Sequence, residues 1–194
     1  MIVAKENLPN LTPEEYFAWE EKQLKKHELI NGQVYAVSGG SVNHGRLAIR
    51  LTAMFDHHLE NSSCIAGNSD IKINIVATKN YTYPDASVTC DDRDKTTPNH
   101  FTYPCLIVEV LSPSTENYDR SGKFRLYRKN PNLQDYLLVS STAVEIDLYH
   151  ENEVGDWLII NYQAGDTIEL KSINLNFAIE QIYRNLDLTP ETTP

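Results

Sequence analysis

Apolar and polar residues recur along this chain with two different periods, and the change of period divides it into elements. Residues 12–26, TPEEYFAWEEKQLKK, carry a partial apolar stripe of Tyr16, Trp19 and Leu24. Thr12 fits an N-cap, Pro13 the first helical position, and Glu14 and Glu15 the first turn, so this stretch predicts a helix. Asn31-Gly32 between HELI and QVYAVS predicts a hairpin, because both residues tolerate a positive φ. Over residues 43–59, Leu47, Leu51, Met54, Phe55 and Leu59 stand three and four apart, the spacing of a second helix.

From residue 69 the period shortens. Ile71, Ile73 and Ile75 alternate with Lys72 and Asn74, as in a strand with one wet face. YPDASVTC at 83–90 predicts another strand, and the polar residues 91–103 an exposed loop. CLIVEVL at 105–111 is almost continuously apolar, the pattern of a strand covered on both faces. LSPST interrupts it, and residues 119–129 predict a third helix. Strands follow at about 135–140, 143–149 and 157–162, then a short helix near 178–185. The order predicts one α/β (α+β) domain over 1–186 with a mixed sheet. The Thr/Pro-rich residues 187–194 are expected to form a mobile tail.

Composition narrows the classes. Of 194 residues, 41% are apolar and 23% charged, which excludes a disordered, collagen-like or disulfide-dense chain. No apolar run approaches the roughly 20 residues of a membrane span, and MIVAKENLPN lacks the features of a signal peptide. Cys64, Cys90 and Cys105 are odd in number and lack a CxxC spacing. Neither a disulfide framework nor a cysteine zinc site is expected, and a reducing cytoplasm is the expected location. The net charge of −10 argues against coating nucleic acid by bulk attraction. Residues 120–129, RSGKFRLYRK, nonetheless hold five bases and no acid, a local basic surface.

Glu109 carries the most chemical information. It lies among Leu106, Ile107, Val108, Val110 and Leu111, where an ionised carboxylate is costly unless something pairs with it. Asp85 follows Pro84, which biases the backbone before it toward extended geometry and sets the aspartate at the start of a strand. Lys123 opens the helix after Glu109, and Glu28 adjoins the hairpin. Taken singly, Asp85 reads as a turn residue, Lys123 as a solvated lysine and Glu28 as a surface acid. His57-His58 project about 100° apart on a helix and do not chelate together. His44 suits a cap or hydrogen-bond role, and Ser112 and Ser114 read as loop and cap residues.

Together these residues resemble a known family. Pro84-Asp85, then Glu109-Val110-Leu111-Ser112-Pro113-Ser114-Thr115, then Asp119, Lys123 and Tyr127 are similar to the restriction-endonuclease-type family within the PD-(D/E)XK nuclease superfamily. Glu28-Leu29-Ile30-Asn31-Gly32-Gln33-Val34, Asn43-His44, Asp70-Ile71-Lys72 and Asp135-Tyr136-Leu137-Leu138-Val139 extend the resemblance over residues 12–165. It implies a restriction-endonuclease-like fold: a mixed central β-sheet flanked by helices, with an antiparallel C-terminal extension. It further implies a homodimer that cuts DNA with Mg²⁺ or Mn²⁺. Asp85 and Glu109 would be metal ligands, Glu28 an auxiliary acid and Lys123 the motif lysine, all four in catalytic roles. Arg120, Arg125, Arg128 and Lys129 would contact backbone phosphates. The superfamily's lysine ordinarily lies two residues after the strand acid, where this chain has Leu111. The resemblance therefore implies that Lys123 has taken over from the next helix. The rival expectation is a fold of the same kind that has lost catalysis and serves as a DNA-binding or assembly module.

Overall fold

The computed structural model describes residues 8–188; the expected tail lies outside the described residues from 189 onward. Helix α1 (Pro13–Glu20) starts as its sequence dictates. The Thr12 hydroxyl accepts from the Glu15 backbone N–H while the Glu15 carboxylate accepts from that of Thr12. The helix stops at residue 20, short of the predicted 26. Past that point Leu24 is fully exposed, so no apolar face holds further turns.

Strands β1 (His27–Ile30) and β2 (Gln33–Ala36) form the predicted hairpin, with Asn31 at φ 51° and Gly32 at φ 81°. Helix α2 (Val42–Leu59) buries Leu47, Leu51, Phe55 and Leu59 along one stripe. Four short strands follow: β3 (Ile65–Asn68), β4 (Lys72–Ile75), β5 (Asn80–Thr82) and β6 (Ala86–Thr89). Next come β7 (His100–Phe101) and the long β8 (Pro104–Leu111), every residue of which is buried. Helix α3 (Glu116–Tyr118) runs through a π-turn, Asp119–Lys123, into α4 (Phe124–Tyr127). Strands β9 (Asp135–Ser140), β10 (Glu145–Glu151), β11 (Trp157–Gln163), β12 (Thr167–Leu170) and β13 (Leu175–Ala178) lead to α5 (Glu180–Tyr183).

Two main sheets result. One has the order β2-β1-β5-β4-β7 and the other β11-β10-β9-β8-β6-β3, while β12 and β13 pair separately. Strands β8 and β9 run parallel, as do β4 and β7, and the remaining neighbours are antiparallel. This is the mixed α+β architecture expected from the sequence.

Alternation along β8 decides where the chemistry lies. Leu106, Val108 and Val110 face the core beneath α2 and α5, while Ile107 and Leu111 face the core under the π-turn helix with Tyr127, Leu133 and Tyr136. Glu109 stands between Ile107 and Leu111 on that second face. Leu111 is thus an apolar core residue on the face where the superfamily places its lysine.

Three expectations need correcting. Cys64 and Cys90 form a disulfide with Cα atoms 4.0 Å apart. The antiparallel register of β3 and β6, which pairs Ile65 with Thr89, sets the two cysteines across from each other just past the ladder. The wet face assigned to β4 is covered as well: Lys72 is buried, its ammonium 5.6 Å from the Phe17 ring centroid and 5.0 Å from that of Tyr83. Finally, residues 91–103 are anchored rather than free. Asp94, 1% exposed, accepts hydrogen bonds from the Thr89 hydroxyl and the backbone N–H of Thr102 and Tyr103.

Candidate active site

The four residues singled out for chemistry line one cavity of about 110 Å³: Glu28, Asp85, Glu109 and Lys123, joined by His44, Tyr118 and Asp119. Each arrives from a different element. Asp85 precedes β6, where its N–H donates to the Val108 carbonyl and its Oδ2 accepts from the Val110 N–H at 2.7 Å. Its carboxylate is therefore held against β8, beside Glu109. Glu109 accepts at Oε1 from the Tyr127 hydroxyl at 2.8 Å and from Lys123 Nζ at 3.0 Å. Glu28, on β1, accepts from the Tyr83 N–H at 3.0 Å and lies 3.5 Å from Lys123 Nζ.

Lys123 is the hub. It reaches Glu109, Glu28 and, at 3.6 Å, Asp119, with its side chain 12% exposed. Asp119 lies one helical turn before it, and the π-turn spans the two residues. Such widened turns are frequent at functional sites. Gly122 makes room for the Tyr118 ring, since a Cβ there would stand 2.3 Å from a ring carbon.

The electrostatics follow from burial and charge count. Burial pushes the Glu109 carboxyl well above the ordinary carboxylate range, with Asp119, Asp85 and Glu28 adding to the rise and Lys123 opposing it. Burial also raises Asp119. For Lys123 burial acts downward, but Glu109, Glu28 and Asp119 outweigh it and hold the ammonium well above its ordinary value. His44, with Nε2 3.3 Å from Asp85 Oδ2, is lowered by burial and raised more by its bond to Asp85 and the charge there. Three carboxylates, Glu28, Glu109 and Asp119, thus share one lysine, and the fourth, Asp85, faces His44.

This donor set consists of carboxylate oxygens, the chemistry that suits a hard divalent cation. Among the described residues no three acidic, histidine or thiol groups form a cluster that could hold a metal ion by themselves. Mg²⁺ is usually held by one or two carboxylates with water and substrate phosphate completing its shell, so a pair such as Asp85 and Glu109 fits it without an all-protein cage.

The basic segment divides. Arg120 is tied to Glu116 at 2.8 Å and to Asp147, which hold its guanidinium above the ordinary range and against β10. Arg125, Arg128 and Lys129 are exposed and do not line the cavity. Asp119 and Tyr118, in turn, were not assigned roles from the sequence. The signal for Asp119 was its four-residue spacing from Lys123 on a helix.

Comparisons with known proteins bear on the fold and the family. A solved structure described as a "putative nuclease belonging to DUF820 from Anabaena variabilis ATCC 29413" superposes with TM-score 0.74, covering 89% of this chain and 97% of that one at 15% identity. The likeness shows the restriction-endonuclease-like fold. Two proteins of Synechocystis sp. (strain ATCC 27184 / PCC 6803 / Kazusa) align over nearly their whole length. The protein slr1290 is 64% identical over 178 residues, covering 92% of this chain and 94% of its own. The protein sll1609 is 33% identical over 175 residues, covering 88% and 96%. Residues 13–181 match the family model Uma2, described as "Putative restriction endonuclease", and the chain belongs to that family.

Proposed function

We propose that this protein is a metal-dependent endonuclease that hydrolyses phosphodiester bonds of DNA. The observation that carries the reading is the charge imbalance of the cavity, with Glu28, Asp85, Glu109 and Asp119 around the single ammonium of Lys123. Asp85 and Glu109 would hold Mg²⁺ or Mn²⁺. When bound, such an ion polarises the phosphoryl oxygen and lowers the pKa of a coordinated water. Lys123, held by Glu28 and Asp119, aims its charge at the phosphate where negative charge develops. Tyr127 fixes the Glu109 carboxylate by its hydrogen bond. Arg125, Arg128 and Lys129 remain available to backbone phosphates, whereas Arg120 is committed to Glu116 and Asp147. Cutting both strands needs two sites, which a homodimer supplies.

The expectation of a reducing cytoplasm rested on unpaired cysteines, whereas Cys64 and Cys90 are paired. Among the described residues no helix is long and apolar enough to cross a membrane.

Leu111 in place of the motif lysine favours a second reading, a non-catalytic DNA-binding or assembly module. One experiment separates the two. Supercoiled plasmid is incubated with wild type and Glu109→Gln in Mg²⁺, Mn²⁺ or EDTA, and melting temperatures are taken under the same conditions. The nuclease reading expects metal-dependent nicking and a metal-dependent rise in melting temperature, both lost in a folded Glu109→Gln. A wild type with neither effect supports the module.

A further inference from the structure

A second, larger cavity of about 710 Å³ opens directly beside the candidate site. The two share His44, Tyr83 and Asp85 as a common wall, together with the loop Val37–Gly40. The groove is lined further by Gly45 and Ile49 on α2 and by Lys25. We infer that this groove, and not the basic helix at 120–129, seats the nucleotides flanking the cleaved phosphate on one strand of the substrate.

The inference rests on the nuclease reading and names the strand's path. Four observations argue for a polynucleotide. The groove adjoins the acidic cavity along His44, Tyr83 and Asp85, so a chain leaving that cavity at Asp85 meets residues that line the groove as well. Its size lies within the range of about 300–1,000 Å³ typical of small-ligand clefts, the scale of a short nucleotide step. Its lining combines small residues that let a sugar–phosphate chain approach closely, Gly39 and Gly45 among them, with the aliphatic side chain of Ile49. Ile49 is 68% exposed on a helix whose opposite stripe is fully buried. An exposed apolar side chain offers the apolar face of an unstacked base or a sugar a surface to cover.

The groove also holds an uncommitted cation. Lys25 is exposed and has no ion-pair partner among the described residues, whereas neighbouring Lys26 is bound to Asp70 and to the Ser69 carbonyl. Lys25 is therefore free to meet a phosphate in the groove. Asp56, the groove's other acid, lies further along α2. Arg125, Arg128 and Lys129 line neither cavity.

The test is binding of a short fluorescein-labelled single-stranded oligonucleotide, read by anisotropy in EDTA across a salt series, with plasmid cleavage in Mg²⁺ run alongside. Gly45→Trp fills the groove, and a Cβ at Gly45 meets nothing within 4 Å, so the fold accommodates it. It should weaken binding at least tenfold, with an unchanged melting curve. Lys25→Ala should weaken it about threefold and flatten the salt slope by about 0.7, one single-strand phosphate contact. Arg128→Ala and Lys129→Ala should change it less than either. Groove variants that bind like wild type while the wild type cleaves plasmid overturn the path and leave the nuclease reading standing. A wild type that neither binds nor cleaves removes both. Loss confined to Arg128→Ala and Lys129→Ala places the strand on the basic helix and overturns the inference.

Discussion

Lys123 Nζ stands 3.0 Å from Glu109 Oε1, although the lysine comes from the helix that follows the strand and not from the strand itself. The superfamily's usual position, Leu111, faces the same side of β8 but is filled by an apolar side chain in the core. An ammonium delivered from the neighbouring helix occupies the space between the acids just as well, because only the position of its charge matters to them.

Removing that charge should cost both stability and rate. In Lys123→Ala, Glu28, Glu109 and Asp119 lose their shared cation, and breaking a buried pair by deleting one partner costs about 3–5 kcal/mol. Urea unfolding in EDTA should show a loss of that order. Adding Mg²⁺ should return part of it, since a cation again enters the acid cluster. DNA cleavage should remain lost even with Mg²⁺ restored. A variant as stable as wild type in EDTA would mean that the cluster does not depend on the lysine.

Gly40 should act through His44. A Cβ on Gly40 would lie 2.5 Å from His44 Cγ, so Gly40→Ala displaces the ring that faces Asp85. The variant should lower cleavage about as far as His44→Ala does, with little change in melting temperature. The double variant should be no worse than either single one, because both remove the same contact. Additive losses in the three rate measurements would show that Gly40 acts independently of His44.

Asp94 carries structure without chemistry. Its carboxylate accepts from Thr89, Thr102 and Tyr103, which anchors the turn before β7 to the end of β6. Asp94→Ala leaves these donors without their acceptor and should destabilise the fold by about 2–4 kcal/mol in urea titrations. Cleavage measured well below the melting temperature should stay near wild type.

What was legible in the sequence followed from local chemistry, and what was hidden depended on register. Thr12 and Glu15 announced a capping box, Asn31-Gly32 a hairpin, and the apolar run around Glu109 a strand buried on both faces. The convergence of Glu28, Asp85, Glu109 and Lys123 came from the family resemblance, since Glu28, Asp85 and Lys123 each had an ordinary reading alone and only Glu109 stood out among its apolar neighbours. Strands β3 and β5 were missed because three or four residues such as IAGN or NYT show no period of their own; pairing with β6 and with β1 and β4 defines them. The Cys64–Cys90 bond was hidden for the same reason, as only the β3–β6 register brings the two together. The run RSGKFRLYRK looked like one basic surface. Helical geometry instead turns Lys123 inward and Arg120 toward Asp147, leaving the other three bases in solvent.

The disulfide yields a prediction of its own. Cys64 and Cys90 are separated by 26 residues, and a cross-link over a loop of that size restricts the unfolded chain by about 2–4 kcal/mol. Dithiothreitol, or the Cys64→Ser/Cys90→Ser pair, should lower urea stability by that amount while leaving a folded protein. Three free thiols titrating in the denatured, unreduced protein, instead of the one of Cys105, would contradict the bond.

Cys105 gives a pH dependence with a definite sign. Its thiol is 6% exposed, and burial pushes its pKa up to about 12 from an ordinary 9.0. Between those values the unfolded chain has lost the thiol proton and the folded chain keeps it. The unfolded state therefore binds fewer protons, and stability falls as pH rises. The contribution is fully present below pH 9 and is lost progressively toward pH 12. At pH 10.5 about 2 kcal/mol of it should be gone, from one and a half pH units at about 1.4 kcal/mol each. The Cys105 sulfur lies 3.8 Å from that of Cys90, so the measurement belongs in the Cys64→Ser/Cys90→Ser background, where exchange has no partner. Urea titrations at pH 8 and pH 10.5 should then show a steeper loss for the protein retaining Cys105 than for the same background with Cys105→Ala. Comparing the two cancels the contributions of the buried tyrosines, whose ionisation both proteins share. Equal losses would mean that the thiol ionises as readily in the folded chain as in the unfolded one. Burial in the core would then not be what governs its charge.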